Sequence, residues 1–539
     1  MNSATARKPP GAGGVLAAAL TEALPRLCAG AAPIDPAVLA LIGALAQALE
    51  DGTLELDLDG AMPEGLEAGR WPESYRQALL NSPLVAQATA PAEAPEAPLV
   101  LAGSRLRWRR WHLQLESTLD ALVARARQSV TPLPDAAPLA AFAELDAQQQ
   151  RAVAAARQHG LLLLSGGPGT GKTSLVVQLL AEQLHHHPQL RVHLAAPTGK
   201  AAARLREALE RNCGALPAAL AARVLAAPCS TLHRLLESSG ERFGRHAGRP
   251  LELDLLVVDE LSMVDLPLMA ALLEALPADC RLVLVGDPAQ LPPVGPGPVL
   301  QELMRPERRS QLGDGAVELC TTYRNGGAIA AVTAELRHAR PIQLAALEPM
   351  LRQLDPQANL QWLQADAALA ALAEHQQRLA ALAAAADDQQ QPEDWAALLN
   401  ELERCVLLTP IRQGRWGVAG LHRQLLGEAA ARACSQWPLG TPVLNRRNLP
   451  EHGLANGDVG VLVGQGSARR VLFPGGRQLH PALLGQAEPA LALTVHKSQG
   501  SQYGTVWLLL PPGRDWDARL IYTGLSRARE RACLITPPA

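Results

Sequence analysis

Aromatic side chains are scarce in this chain, at 3 % of 539 residues against 48 % hydrophobic overall, so its cores must be built from aliphatic residues. An excess of one charge is also missing: 49 Lys and Arg face 52 Asp and Glu, for a formal net charge of −3. That excludes a globally basic surface. It leaves room for a local basic stripe, which is all a nucleic-acid groove needs. The eight cysteines stand singly, with no CxxC pair. This spacing argues against a disulfide framework or a zinc or iron–sulfur site, and for free thiols in a reducing compartment. No apolar run is long enough to span a bilayer. The alanine-rich N-terminus soon meets Glu22, Pro25 and Arg26 and lacks the apolar core and cleavage signal of a secretory leader. These absences point to a soluble cytoplasmic protein with no membrane partner. Length alone suggests roughly three to four domains.

Residues 1–140 carry no recognisable chemistry and read as mostly helical, broken by the Pro-rich stretch at 88–98. A short strand or two and a helix follow over 99–125. Within them RLRWRRWH (105–112) mixes four arginines with two tryptophans. Stacking on bases and an amphipathic interface both remain open for it, the interface being the more ordinary use. From about 145, short apolar runs alternate with helical patterns. Strands are expected at 161–165, 191–197, 253–260 and 281–287, each followed by a helical stretch, as in a parallel sheet covered by helices. The low-complexity segment 363–394 reads as a helix or two and an exposed loop. Further strands are expected at 405–410, 505–511 and 532–536. Between them the runs at 442–447, 459–463 and 469–474, spaced by turn residues, suggest a small antiparallel barrel (about 438–490) inserted into a second α/β domain.

One strand runs straight into Gly166-Gly167-Pro168-Gly169-Thr170-Gly171-Lys172-Thr173 and then an apolar helix. This is a phosphate-binding loop in its required strand–loop–helix setting. The glycines turn backbone N–H groups inward, and the helix N-terminus adds positive potential. Lys172 suits the β- and γ-phosphates of ATP, and Thr173 offers a hydroxyl to Mg²⁺. The apolar run LDLLVVDE ends in Asp259, placed to hold the Mg²⁺ shell, and Glu260, placed to orient or deprotonate water. A third strand ends in GDPAQLPPV, whose Gly and Pro residues fix a loop that presents Gln290 toward a γ-phosphate.

These residues resemble the superfamily 1 helicases over roughly 145–539. Leu145–Ala152 resembles the motif whose glutamine, here Gln149, reads adenine. Ala196–Leu205 resembles motif Ia, Ser230–His233 motif Ib, Asp259–Ser262 motif II and GDPAQLPPV motif III. Thr322-Tyr323-Arg324 resembles motif IV, Thr494–Gly500 motif V and Tyr522–Arg529 motif VI. Within the superfamily, APTGKAAARL, the IRQGRWGVAGL stretch at 411–421, VHKSQGS and the LRWRRW segment are similar to the RecD family. Members of that family are the alpha subunits of RecBCD-type exodeoxyribonuclease V. Leu261 departs from the small residue expected after the carboxylate pair.

The resemblance implies two RecA-like domains (141–320, with an insertion about 236–252, and 321–539), an inserted SH3-like barrel and a helical, partner-docking N-terminal domain. It implies a 5′–3′ motor on single-stranded and duplex-end DNA, in a heterotrimer with RecB-like and RecC-like subunits. The motor would act in double-strand break repair. Related free-standing helicases carry a longer N-terminal extension, so the short segment favours the complex-bound subunit. Arg324 and Arg527 would act as arginine fingers from the second domain. Thr198, Lys200, Thr231, His233, Thr494, His496, Lys497 and Ser498 would hold the DNA backbone without reading bases.

His185-His186-His187 reads as a solvated helix end, because consecutive histidines splay around a helix. The basic run 241–249 is open between a strand-separating hairpin and a surface loop. No cluster of carboxylates forms a nuclease site, so exonuclease activity is expected in a partner chain. The rival readings are a free-standing 5′–3′ DNA helicase, an RNA helicase of the same superfamily, and a subunit that holds nucleotide for structure.

Overall fold

The computed structural model describes residues 12–537 apart from 29–32, 51, 89–96, 129–144, 241, 324–326, 339–343, 356, 390–391 and 513–515. The chain begins with α1 (Ala12–Cys28) and α2 (Pro36–Glu50). Then come β1 (Glu55–Asp57), α3 (Glu73–Leu80), β2 (Val85–Gln87), β3 (Leu99–Ala102), β4 (Arg105–Trp108) and α4 (Arg109–Arg127). The strands form one sheet in the order β1-β4-β3-β2. The β3–β4 hairpin turns at Gly103, whose φ of 63° only glycine adopts without strain. The N-terminal segment therefore holds a four-stranded sheet as well as helices, with Leu41, Ile42, Leu45, Leu99 and Leu106 in a core of their own.

Helix α4 does not share that core. Leu115, Leu119 and Leu122 instead pack with Leu161, Leu163 and Leu284 of the following α/β unit. An ion network seals the same junction. Arg107, 4 % exposed, pairs with Glu55 at 2.6 Å, Glu116 at 3.3 Å and Glu302 at 3.6 Å. Arg305 reaches Glu55 at 2.8 Å and Arg308 reaches Asp120 at 2.7 Å. A buried guanidinium persists only when paired in this way. Trp111 packs against the shared core, and exposed Arg110 lies over its ring. In this structure the Trp/Arg cluster is an interface within the chain.

The first α/β unit contains α5 (Ala147–Gln158), β5 (Leu161–Gly166), α6 (Lys172–His186), β6 (Val192–Ala196), α7 (Gly199–Asn212), α8 (Ala218–Ala226), β7 (Cys229–Thr231) and α9 (Leu232–Leu235). A two-stranded ribbon, β8 (Ser238–Ser239) and β9 (Arg242–Phe243), follows. Then come β10 (Leu255–Val258), α10 (Leu266–Ala275), β11 (Arg281–Gly286), α11 (Val299–Leu303), α12 (Pro306–Leu312) and β12 (Ala316–Leu319). The sheet runs β12-β5-β11-β10-β6-β7 with every neighbour parallel. Its Leu/Val runs are buried on both faces, as a parallel sheet covered by helices requires. The described part of the basic run continues the ribbon, where Glu237 is clamped by Arg245 at 2.8 Å and Arg249 at 2.5 Å. The three histidines lie at the C-terminal end of α6. Among the described residues no group of three or more His, Cys, Asp or Glu is placed to hold a metal ion.

The second unit contains α13 (Gly327–His338), α14 (Leu344–Arg352), β13 (Leu360–Leu363), α15 (Ala365–Gln389), α16 (Pro392–Leu402), β14 (Cys405–Thr409) and α17 (Val418–Leu426). An insertion of β15 (Pro442–Asn445), β16 (Val459–Val463), β17 (Arg470–Phe473), β18 (Arg477–Leu479) and β19 (Ala487–Pro489) follows. The unit closes with β20 (Ala492–Thr494), β21 (Tyr503–Leu509), α18 (Ala518–Leu525) and β22 (Ala528–Ile535). Its own sheet, β13-β22-β21-β14-β20, is parallel, whereas the inserted sheet, β18-β17-β16-β15-β19, is antiparallel. The low-complexity segment becomes α15, which pairs with α16. Together they bury Leu379, Ala383 and Leu398 against Val461 and Leu472 of the insertion. Among the described residues no helix is long and apolar enough to cross a membrane.

Candidate active site

The phosphate-binding loop leaves β5 at its carboxyl end and enters α6, with Gly169 (φ 75°) and Gly171 (φ 80°) in the left-handed region that lets the loop fold back. Lys172 Nζ donates to the carbonyls of Gly166 and Gly167, both at 2.7 Å. Burial lowers the Lys172 pKa, and the nearby carboxylates of Asp287, Asp259 and Glu260 oppose that shift. Thr170 Oγ1 donates to the Gly167 carbonyl at 2.9 Å and stiffens the loop. Thr173 is half-buried in the first turn of α6, beside the lysine.

Asp259 and Glu260 follow β10. Burial, and then the charge of Glu260, push the Asp259 carboxyl well above the ordinary range. Its Oδ1 accepts the Glu260 backbone N–H at 2.8 Å. Glu260 has φ 54°, a left-handed backbone that costs a non-glycine residue of the order of 1–3 kcal/mol. Such strain, held at the tip of a central strand, fixes where the carboxylate points. Gln290 lies past β11, 5 % exposed, and its buried Oε1 has no hydrogen-bond partner among the described residues.

The side of the loop at Gly171 is built from α5. Asp146 caps that helix and accepts from the backbone of Gln148 and Gln149, while Gln149 Oε1 accepts the Asp146 N–H at 3.1 Å. This reciprocal cap engages the glutamine's oxygen and leaves its NH₂ facing Gly171, where an added Cβ would lie 3.4 Å from Nε2. Tyr323 completes this side. Its hydroxyl donates to Asp146 at 2.7 Å, its backbone N–H donates to the Gly169 carbonyl, and its ring is exposed. Tyr323 was not among the expected site residues. The signal was a lone aromatic beside Arg324 in an aromatic-poor chain. Arg324 itself lies outside the described residues.

The loop that carries Gln290 is fastened to the second unit. Tyr522 Oη donates to Asp287 at 2.6 Å, the Leu291 N–H donates to Thr523 Oγ1 at 2.8 Å, and Gln499 Nε2 donates to the Leu291 carbonyl at 3.2 Å. Leu291 is buried in the second unit's core. Arg527 is 3 % exposed and turned inward, donating to Thr523 O at 3.2 Å, Ser526 Oγ at 3.1 Å and Ser501 O at 3.4 Å. Burial and the neighbouring Arg527 bring Arg204 down to about 10.

Residues 149–296 match the AAA domain family, and residues 489–535 match the UvrD-like helicase C-terminal domain. The RecBCD enzyme subunit RecD of Mycolicibacterium smegmatis is 34 % identical over 525 residues, which cover 93 % of this chain and 90 % of that one. This chain belongs to the RecD family. It is an ATP-dependent DNA helicase with RecA-like α/β units. The RecBCD subunit RecD of Mycobacterium tuberculosis is 33 % identical over 97 % of this chain and 91 % of its own length. The ATP-dependent RecD2 DNA helicase of Deinococcus radiodurans is 33 % identical over 69 % of this chain but only 46 % of its own length.

In this RecD-family chain Thr198 and Lys200, two of the residues expected to hold DNA, meet the second unit at the seam. Thr198 and Thr231 cap the helices that follow the adjacent strands β6 and β7. His233, two residues on, is exposed. Across the seam a Cβ on Gly500 would lie 3.3 Å from Thr198 Oγ1, and one on Gly199 would meet Ala455 of the insertion. Lys200 Nζ lies over the Tyr503 ring. Thr494 Oγ1 accepts the Lys497 N–H at 3.2 Å, and His496 is half-buried, its pKa lowered by burial. Two of these residues are already engaged. Lys497 pairs with Glu488 at 2.7 Å, and Ser498, fully buried, donates to Val495 O. A cleft of about 680 Å³, lined by Arg412, Arg423, Arg446, Glu488, Thr494 and Lys497, opens beside them.

Proposed function

We propose that this RecD-family chain couples ATP hydrolysis to 5′–3′ movement on single-stranded DNA, starting from duplex ends. It would do so beside RecB-like and RecC-like subunits in double-strand break repair, with exonuclease chemistry in a partner chain. The observation that carries the reading is the hydrogen-bonded link from the Gln290 loop, next to the phosphate site, to Tyr522 and Thr523 of the second unit. A change at the terminal phosphate is thereby felt across the seam where the DNA-binding candidates meet, as a two-state hinge needs. The subunit role is supported by the RecD subunits of Mycolicibacterium smegmatis and Mycobacterium tuberculosis, which are 34 % and 33 % identical over 93 % and 97 % of this chain.

In this reading Lys172 leaves its own loop carbonyls for the β- and γ-phosphates, and the N-terminal turn of α6 receives the remaining charge. Gln149 and Tyr323 hold the base. Glu260 takes the proton of the attacking water, which Gln290 orients through its unpartnered Oε1. Thr173 and Asp259 fit Mg²⁺, because a buried carboxylate beside a second one is held ionised by a cation. When bound, the ion neutralises phosphate charge. Arg324 and Arg527 remain the proposed fingers, Arg527 after turning from Ser501 and Thr523. The inserted sheet serves as the SH3-like barrel above the DNA, and the ribbon at 238–243 as a strand separator. The test is ATP turnover with and without single-stranded DNA for wild type and Lys172→Gln. DNA stimulation that vanishes in the variant supports the motor. ATP binding without hydrolysis in wild type refutes it in favour of a structural nucleotide.

A further inference from the structure

The two ends of the phosphate-binding loop have different neighbours. At Gly171 they are Gln149 and the Tyr323 ring, the groups of the base side. At Gly167 an added Cβ would lie 3.1 Å from Arg337 Nη1 and 3.4 Å from Tyr522 Oη. The Gly167 carbonyl is also where Lys172 Nζ rests, so this end faces the terminal phosphate. Arg337 lies in the last turn of α13, on the second unit, and its side chain is 18 % exposed. Its ion-pair partner is Glu318 of β12, on the first unit, at a long 3.5 Å. Arg527, by contrast, has its guanidinium bonded to carbonyl and hydroxyl oxygens of its own unit.

We propose that Arg337 is a cross-unit guanidinium that binds the terminal phosphate of ATP, a contact that ADP cannot make. The assignment rests on the ATPase reading above and deepens it. A planar fork reaching two phosphate oxygens is a strong, directional contact. The pair with Glu318 is loose and partly solvated, a kind of pair that contributes little, so the guanidinium is free to exchange the carboxylate for a phosphate. Glu318 thus parks Arg337 beside the loop before nucleotide arrives. During hydrolysis the water oxygen bonds to the γ-phosphorus as the bond to the β–γ bridging oxygen breaks, and the water proton passes to Glu260. Arg337 neutralises the charge on the group in transfer and exchanges no proton.

The experiment uses the full chain and the Arg337→Ala, Arg337→Lys and Glu318→Gln variants. It compares affinity for fluorescent ADP with affinity for a non-hydrolysable ATP analogue, and measures DNA-stimulated turnover. Arg337→Ala should weaken the ATP analogue about tenfold, leave ADP unchanged and cut kcat about 10²-fold, the scale of losing one transition-state donor. Lysine, which keeps the charge but not the fork, should recover part of the loss. Glu318→Gln should keep the preference for ATP over ADP. An unchanged preference in Arg337→Ala, or a Glu318→Gln variant that reproduces its loss, would overturn the assignment, since either makes the arginine only a partner of Glu318. If Arg337→Ala fails to fold, Arg337→Lys against wild type carries the same comparison. Failure of the ATPase reading is distinct, because wild type would then not hydrolyse ATP at all.

Discussion

Replacing Tyr522 with phenylalanine removes one oxygen from a fully buried ring and tests how firmly the two units are coupled. The ring keeps its place in the second unit's core. What is lost is the 2.6 Å bond to Asp287, itself 1 % exposed. Asp287 Oδ1 still accepts the Ala289 N–H at 3.1 Å, but Oδ2 loses the tyrosine donor. A hydrogen bond to a charged group contributes about 1.5–3 kcal/mol, and a buried acceptor left bare costs a similar amount. Because this bond joins the units, the loss falls on their docking equilibrium, roughly a 10- to 150-fold shift toward separation. The Leu291–Thr523 and Gln499–Leu291 bonds remain, so docking should weaken without failing. Dyes placed on either side of the seam should report a broader distance distribution in Tyr522→Phe, and DNA stimulation of ATP turnover should fall about tenfold. Unchanged distances and unchanged stimulation would refute the coupling role.

Three further outcomes are expected. Leu122→Ala, at a fully buried position on α4, should destabilise the first unit by about 2–5 kcal/mol in urea unfolding followed by tryptophan fluorescence. Cutting the chain after residue 128 also removes Leu115 and Leu119, at about 1.5–3 kcal/mol each, so the remainder should not fold; a folded, DNA-stimulated fragment would contradict this packing. Glu488→Gln should release Lys497 and Arg446, now paired with it at 2.7 Å and 2.6 Å, for phosphate contacts. Single-stranded DNA should then bind more tightly at low salt, with a log–log salt slope steeper by about 0.7 per cation released, and weaker binding would rule those cations out of the DNA path.

The sequence by itself determined what depends on neighbours along the chain. The phosphate-binding loop was legible because strand, glycines and helix must follow one another within a dozen residues for the backbone N–H groups to converge. Asp259 and Glu260 were legible because a carboxylate at the tip of an apolar strand projects from the edge of a parallel sheet. The helix caps at Asp146, Thr198 and Thr231 are equally local. Strands β7, β12, β13 and β20 were missed because runs of three or four residues carry too little periodicity to separate from a loop.

Tertiary structure alone decided the rest. The apolar stripe of α4 fits either core equally well as a pattern, and only packing assigns it to the first unit. Arg337 was unremarkable in sequence because its relation to Gly167 exists only across the seam between units. Glu488 neutralises Lys497, and Arg527 turns inward, because side chains distant in sequence compete for the same buried space. Backbone requirements act between adjacent residues, whereas the pairing of buried charges is settled only when two folded surfaces meet.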